Sequence, residues 1–156
     1  MSLFLLLKTL HVIGAAVLFG TGAGIAFFML MAHRTGRPSL IAHTAQMVVI
    51  ADTIFTASAV VVQPLTGAAL ARMAGYPLMS GWIGVSLILY VMTGLFWLPV
   101  VWIQIRLRNL ARIAADAGTE LPHAYYRLWR IWFVFGFPAF GAVLGIFWLM
   151  VAKPGL

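Results

Sequence analysis

The stretch LFLLLKTLHVIGAAVLFGTGAGIAFFMLM, Leu3 to Met31, decides the fold. Its only charge is Lys8, close to its start. A hydrocarbon core about 30 Å thick is crossed by about 20 apolar residues at about 1.5 Å rise each. The run exceeds that length. It also outlasts the apolar region of a secretory signal, roughly 7–15 residues, and carries no A-x-A site after a short one. It therefore reads as a retained membrane helix. Three further runs of the same kind follow at 44–70, 82–105 and 128–151. The connectors between them hold Gly36 and Pro38, then Gly75 and Pro77, then Gly118 and Pro122, residues that break helices. Short connectors join antiparallel neighbours. The expected fold is all-α: a four-helix up-and-down transmembrane bundle in one domain, residues 1–156.

Composition agrees. The chain is 63% hydrophobic and 8% charged, against roughly 45–50% apolar and about 25% charged in soluble domains. A soluble globular domain is excluded, and so is disorder, which needs low hydrophobicity and high charge. With no cysteine there is no disulfide and no thiolate chemistry. Ten basic against three acidic residues give a net charge of +7. In a soluble chain that excess points to nucleic acid. Here the bases sit between spans, so they read as topology signals, with the lipid bilayer as partner and no nucleic acid. The first and third connectors, with the start of the last span, hold Arg34, Arg37, Arg106, Arg108, Arg112, Arg127 and Arg130; the opposite side holds Lys8, Arg72 and Lys153. The positive-inside rule then places both termini outside the cytoplasm, in a bacterial inner membrane.

Leu107, Leu110, Ile113 and Ala117 recur at helical spacing beyond the third span. They predict a helical extension, solvated or lying on the membrane surface or a partner, that Gly118 ends. Trp82, Trp129, Trp132 and Trp148 fall near span ends and read as headgroup anchors. Gly20 with Gly24, and Gly141 with Gly145, read as sites of close helix approach.

Polar groups inside spans are expensive and mark function. His11 lies about 12 Å along the first helix, on a face with Lys8, Gly14, Ala15, Leu18 and Gly22. It reads either as an axial ligand to haem iron, hence a metal ligand, or as a buried histidine bonded to another helix. Asp52 is the one acid within a span. It reads as an ion pair with Arg106, Arg127 or Arg130 that fixes helix register, or as a proton relay. Thr56 and Gln63 share its helical face. Gln63 falls at the depth of His11 and is the expected partner of its ring. Pro64 frees a carbonyl that a neighbour must satisfy. The third span carries its own stripe, Ser86, Tyr90, Thr93, Trp97 and Gln104. His33, His43 and His123 belong to connectors or span ends and show no metal-ligand spacing.

The segments LKTLHVIGA (7–15), ADTIFTASAVVVQPLTG (51–67), LYVMTGLFWLPVVWIQIRLR (89–108) and LMVAKPG (149–155) resemble a family of small integral membrane proteins known only as a domain of unknown function. LKTLHVI near the start and VAKP near the end also resemble HemJ-type protoporphyrinogen IX oxidases, four-helix membrane proteins that bind haem b. That resemblance implies haem ligation by His11. It does not extend to the third helix, where the Lys and His of those enzymes fall on Ser86 and Trp97, nor to the Asn-Glu before the last proline, replaced by Gly136 and Phe137. The oxidase activity is therefore not implied. Three functions follow as expectations. One is a haem b protein with a redox or haem-handling role, His11 as ligand and Gln63 and Tyr90 shaping the pocket. Another is a non-catalytic subunit or assembly factor, acting as a homo-oligomer or with a membrane partner. The third is a small proton-coupled transporter using Asp52.

Overall fold

The computed structural model describes residues 2–79 and 81–155. Four helices fill it: α1 (Leu3–Arg34), α2 (Pro38–Met73), α3 (Gly81–Ala117) and α4 (His123–Ala152), each long and apolar enough to cross a membrane. Each packs on the next, and α4 returns to α1, where Phe19 stacks on Phe140 at 4.8 Å between ring centroids and tilts on Phe147 at 5.4 Å. The four-helix membrane bundle expected from hydropathy is the fold.

The helices run past the apolar runs because their ends are capped in sequence. Ser2 accepts the Leu5 N–H at 3.3 Å and starts α1. Pro38 sits at the first helical position of α2, where its missing N–H is no loss and its φ is preset; α2 thus begins before residue 44. Gly118 adopts φ 63 and ends α3, letting the Thr119 N–H turn back to the Ala114 carbonyl at 3.0 Å.

The core sits at the end of the bundle that carries the first and third connectors. Ile25, Met29, Ile41, Val48, Leu107, Ala111, Tyr125, Trp129 and Trp132 form one buried cluster. This refines one expectation and corrects another. The extension of α3 beyond the span is real, but it is packed on one side rather than free-standing: Leu107, Ala111 and Ala114 are buried, while Arg112, Ile113, Asp116 and Ala117 are exposed. Trp129 and Trp132 are core residues rather than headgroup anchors, since α4 turns them inward under His33. Trp148 remains exposed. Of the paired glycines, Gly145 lies close to a neighbouring helix, a Cβ there meeting Leu89 at 3.2 Å, whereas Gly20, Gly24 and Gly141 have open space.

α2 is not uniform. It is α-helical over Pro38–Ala51, π-helical over Asp52–Thr56 and α-helical again over Ala57–Met73. Pro64 lies inside the last segment and cannot donate to the Val60 carbonyl one turn back. The Tyr90 hydroxyl of α3 donates to that carbonyl instead. Tyr90 thus closes the gap that Pro64 opens, as hydrocarbon surroundings require. Replacing Tyr90 by Phe should strand the Val60 carbonyl and cost about 1–3 kcal/mol. Reversible unfolding in mixed micelles measures it; an unchanged midpoint would show the bond contributes nothing.

Candidate functional site

The buried face of α2 changes character midway. Ile41, Ala45 and Val48 are buried and apolar; Asp52, Thr56, Gln63 and Thr66 are buried and polar, with Ala59 among them. The change falls at the π-helical turn, a kind of irregularity found often at functional sites.

Asp52 is 4% exposed. Trp97 of α3 donates its indole N–H to Oδ1 at 3.3 Å. Gln104, one face-repeat further along α3, places one end of its amide 3.1 Å from Oδ2 and the other 3.3 Å from the Trp132 indole nitrogen of α4. Trp132 is only a donor, so it fixes which end of the Gln104 amide faces Asp52. Three helices therefore converge on one carboxyl. The Thr56 hydroxyl lies beside that carboxyl and has no well-aligned hydrogen bond of its own.

The arginines expected at Asp52 are elsewhere. Arg106, Arg127 and Arg130 are exposed, and the Arg106 guanidinium lies over the Trp102 ring at 5.8 Å. Among the described residues the ion pair present is Arg112 with Asp116, both exposed. The geometric reason is helix face: these arginines point outward, and the neutral N–H groups of Trp97 and Gln104 meet the carboxyl instead.

His11 sits where α1 crosses the end of α2. Its ring Nδ1 lies 2.8 Å from Thr66 Oγ1, and the Thr66 hydroxyl has the Val62 carbonyl at 2.8 Å to donate to. All three groups are satisfied when Nδ1 carries the proton and donates to Thr66. In the neutral ring this leaves Nε2 as a bare lone pair. Gly67 makes the approach possible: a Cβ there would stand 3.1 Å from His11 Cε1. Gln63 meets the ring through its backbone carbonyl, while its side-chain amide, expected to bond the ring, donates to the His11 backbone carbonyl at 2.9 Å, across Gly14, where a Cβ would meet that amide at 3.1 Å. Tyr90 is engaged on the Val60 carbonyl. His11, Gln63 and Tyr90 therefore do not form one pocket. Two surface clefts, of about 300 Å³ beside Trp82 and Lys153 and about 480 Å³ beside Met79 and Val91, do not reach His11.

At the other end of the bundle His33 stacks on Trp129 with centroids 4.0 Å apart, and its Nδ1 lies 3.2 Å from the buried Tyr125 hydroxyl. Trp129 in turn stacks on Trp132 at 5.1 Å. These rings brace the tryptophan that holds Gln104. No group of three metal-ligating side chains occurs among the described residues.

Thr66 is the site residue that the sequence did not single out; Trp97 and Gln104 stood out only as members of a polar stripe and Trp132 only as a headgroup anchor. Thr66 lies on the face of Asp52, Thr56 and Gln63, so helical spacing held that signal. The role of Gln104 depends on which α4 residue turns inward, which spacing within α3 does not reveal.

Four membrane-length helices closing on a buried polar face define a multi-pass integral membrane protein. Over residues 5–154 the chain matches a family described as "Predicted integral membrane protein (DUF2269)", and it belongs to that family. No curated protein and no solved structure gives a match.

Proposed function

We propose that this bundle is a proton-handling membrane protein in which Asp52 takes up and releases a proton within the bilayer, the chemistry of a small proton-coupled carrier. The observation that carries the reading is a carboxyl 4% exposed in a π-helical turn of a membrane helix, met by Trp97 and Gln104 and by no cation among the described residues. A carboxylate locked in an ion pair stays charged. A carboxylate taken from water without a cation costs several kcal/mol, and the neutral acid costs far less. Two N–H donors support the charged form without neutralising it, so the group can cycle between its two states. In proteoliposomes holding the full chain, the infrared difference spectrum between acid and base should contain a protonated-carboxyl band that Asp52→Asn lacks. Proton flux down an imposed gradient should be lost in the same variant. Absence of the band from the wild type would refute proton binding at Asp52, and equal flux in the two proteins would remove transport from the reading.

The distribution of basic residues supports an orientation with both termini outside the cytoplasm, in the inner membrane of a bacterial cell. A reporter enzyme active only in the cytoplasm should be silent when fused after Leu156; activity there would reverse the assignment.

A second reading, haem b held by His11, is favoured by the bare Nε2 and by the resemblance of LKTLHVI and VAKP to HemJ-type proteins. The donor atom suits iron, with Nδ1 anchored by a hydrogen bond in the way that orients ligating histidines. The enclosure within one chain does not suit a porphyrin: Gln63 and Tyr90 are turned onto backbone carbonyls and Gly67 lies against the ring. Haem b on this chain would need the surface of a second copy or a partner subunit. The reading predicts a Soret band in detergent-purified protein from haem-replete cells, lost in His11→Ala. A colourless, monodisperse preparation sinks it.

A further inference from the structure

We infer that the buried polar face of α2, from Asp52 through Thr56 and Gln63 to His11, is a water-bridged proton path joining the Asp52 carboxyl to the end of the bundle where the termini lie. The inference rests on the reading that Asp52 exchanges a proton.

Two buried side-chain atoms among the described residues lack a well-aligned hydrogen bond: Thr56 Oγ1, whose one polar neighbour is the Asp52 carboxyl, and Gln63 Oε1. Their residues are 6% and 8% exposed. Buried polar atoms without a protein partner are few in native structures, and bound water is what usually answers them. Both lie on the same face of the same helix, with the small side chain of Ala59 between them, in line with Asp52 on one side and with Thr66 and His11 on the other. At about 1.5 Å per residue the face from Asp52 to Thr66 covers about 21 Å, most of a hydrocarbon core about 30 Å thick. Below Asp52 the same face is closed by Val48, Ala45 and Ile41, which offer water nothing.

The chemistry of each atom fits its place. The neighbours bonded to Asp52 are donors: the Trp97 N–H, and the Gln104 N–H fixed by Trp132. Neither accepts the acidic hydrogen of neutral Asp52. The Thr56 hydroxyl does, since it accepts from the acid and donates to the carboxylate. Its unspent valence is therefore what a first station requires. Gln63 has its amide N–H committed to the His11 carbonyl, which leaves Oε1 as an acceptor for a water O–H. His11, half-buried and with Nε2 free, is the base at the end of the line.

The transfer balances without redox change. The Asp52 O–H proton passes to Thr56 Oγ1 as the Thr56 proton moves to the next water. Successive waters hand on one proton each, and the last goes to His11 Nε2, which holds it as an imidazolium. Uptake is the reverse.

The test is a pH jump on proteoliposomes holding the full chain, with the Asp52 carboxyl band followed by time-resolved infrared spectroscopy. Thr56→Val should slow the appearance of the band by about a hundredfold while leaving its final amplitude unchanged. Thr56→Ser should restore the rate. The wild type alone gives a second measurement that does not depend on a variant folding: the acid-minus-base spectrum should contain O–H stretches of bound water that shift in water labelled with oxygen-18. A band that forms at the wild-type rate in Thr56→Val, or a wild-type spectrum without label-sensitive water bands, overturns the path. A wild type with no titrating carboxyl band at all refutes the reading of Asp52 instead, so the two failures are distinct.

Discussion

Hydrocarbon offers a carboxyl group nothing to bond, so Asp52 has to be answered by donors that the protein brings to it, and much of the bundle is arranged to do so. Trp97 approaches one oxygen and Gln104 the other. Gln104 donates to Asp52 because Trp132 offers it only an N–H to accept. Trp132 is held by its stack on Trp129, and Trp129 by its stack on His33. A run of contacts thus connects the core at one end of the molecule to the orientation of one amide at its middle. Packing in that end is apolar and aromatic because its task is to hold these rings still. Beyond Asp52 the buried face of α2 turns polar, and the helix contacts become hydrogen bonds between side chains and backbone carbonyls.

The same constraint organises the crossing of α1 and α2. There Gly14 and Gly67 remove two side chains so that Gln63 and His11 fit between helices. Each polar group settles on the opposite helix: the Gln63 amide on the His11 carbonyl, the His11 ring on Thr66. Van der Waals packing and such hydrogen bonds are what associate helices in lipid, where neighbouring apolar faces have no preference for one another over lipid tails.

Hydropathy made the number of helices and their antiparallel order legible, because each run exceeds what a bilayer requires and few charges interrupt it. Helix ends were less legible: Pro38 begins α2 earlier than its apolar run, and Gly118 ends α3 far beyond its own. The importance of His11 and Asp52 was visible, since a polar residue within a span stands out against its neighbours. Their partners were not. Arg106, Arg127 and Arg130 were plausible for Asp52 by charge and side, but a helix turns one face inward, and the rotation of α4 buries Trp129 and Trp132 while leaving Arg127 and Arg130 exposed. The π-helical turn had no sequence sign, because an extra residue in a helical turn leaves the apolar pattern on either side intact. Pro64 was the most informative residue: the freed carbonyl it implies is where Tyr90 is found.

That pairing also restricts the order in which the two positions can change. Pro64→Ala returns an N–H to the Val60 carbonyl, whose second lone pair stays open to Tyr90, and strands nothing. Loss of the Tyr90 hydroxyl while Pro64 remains strands the carbonyl in hydrocarbon. The proline is therefore contingent on the tyrosine and not the reverse. A lineage can lose the proline first and the tyrosine afterwards, but the opposite sequence passes through a less stable intermediate.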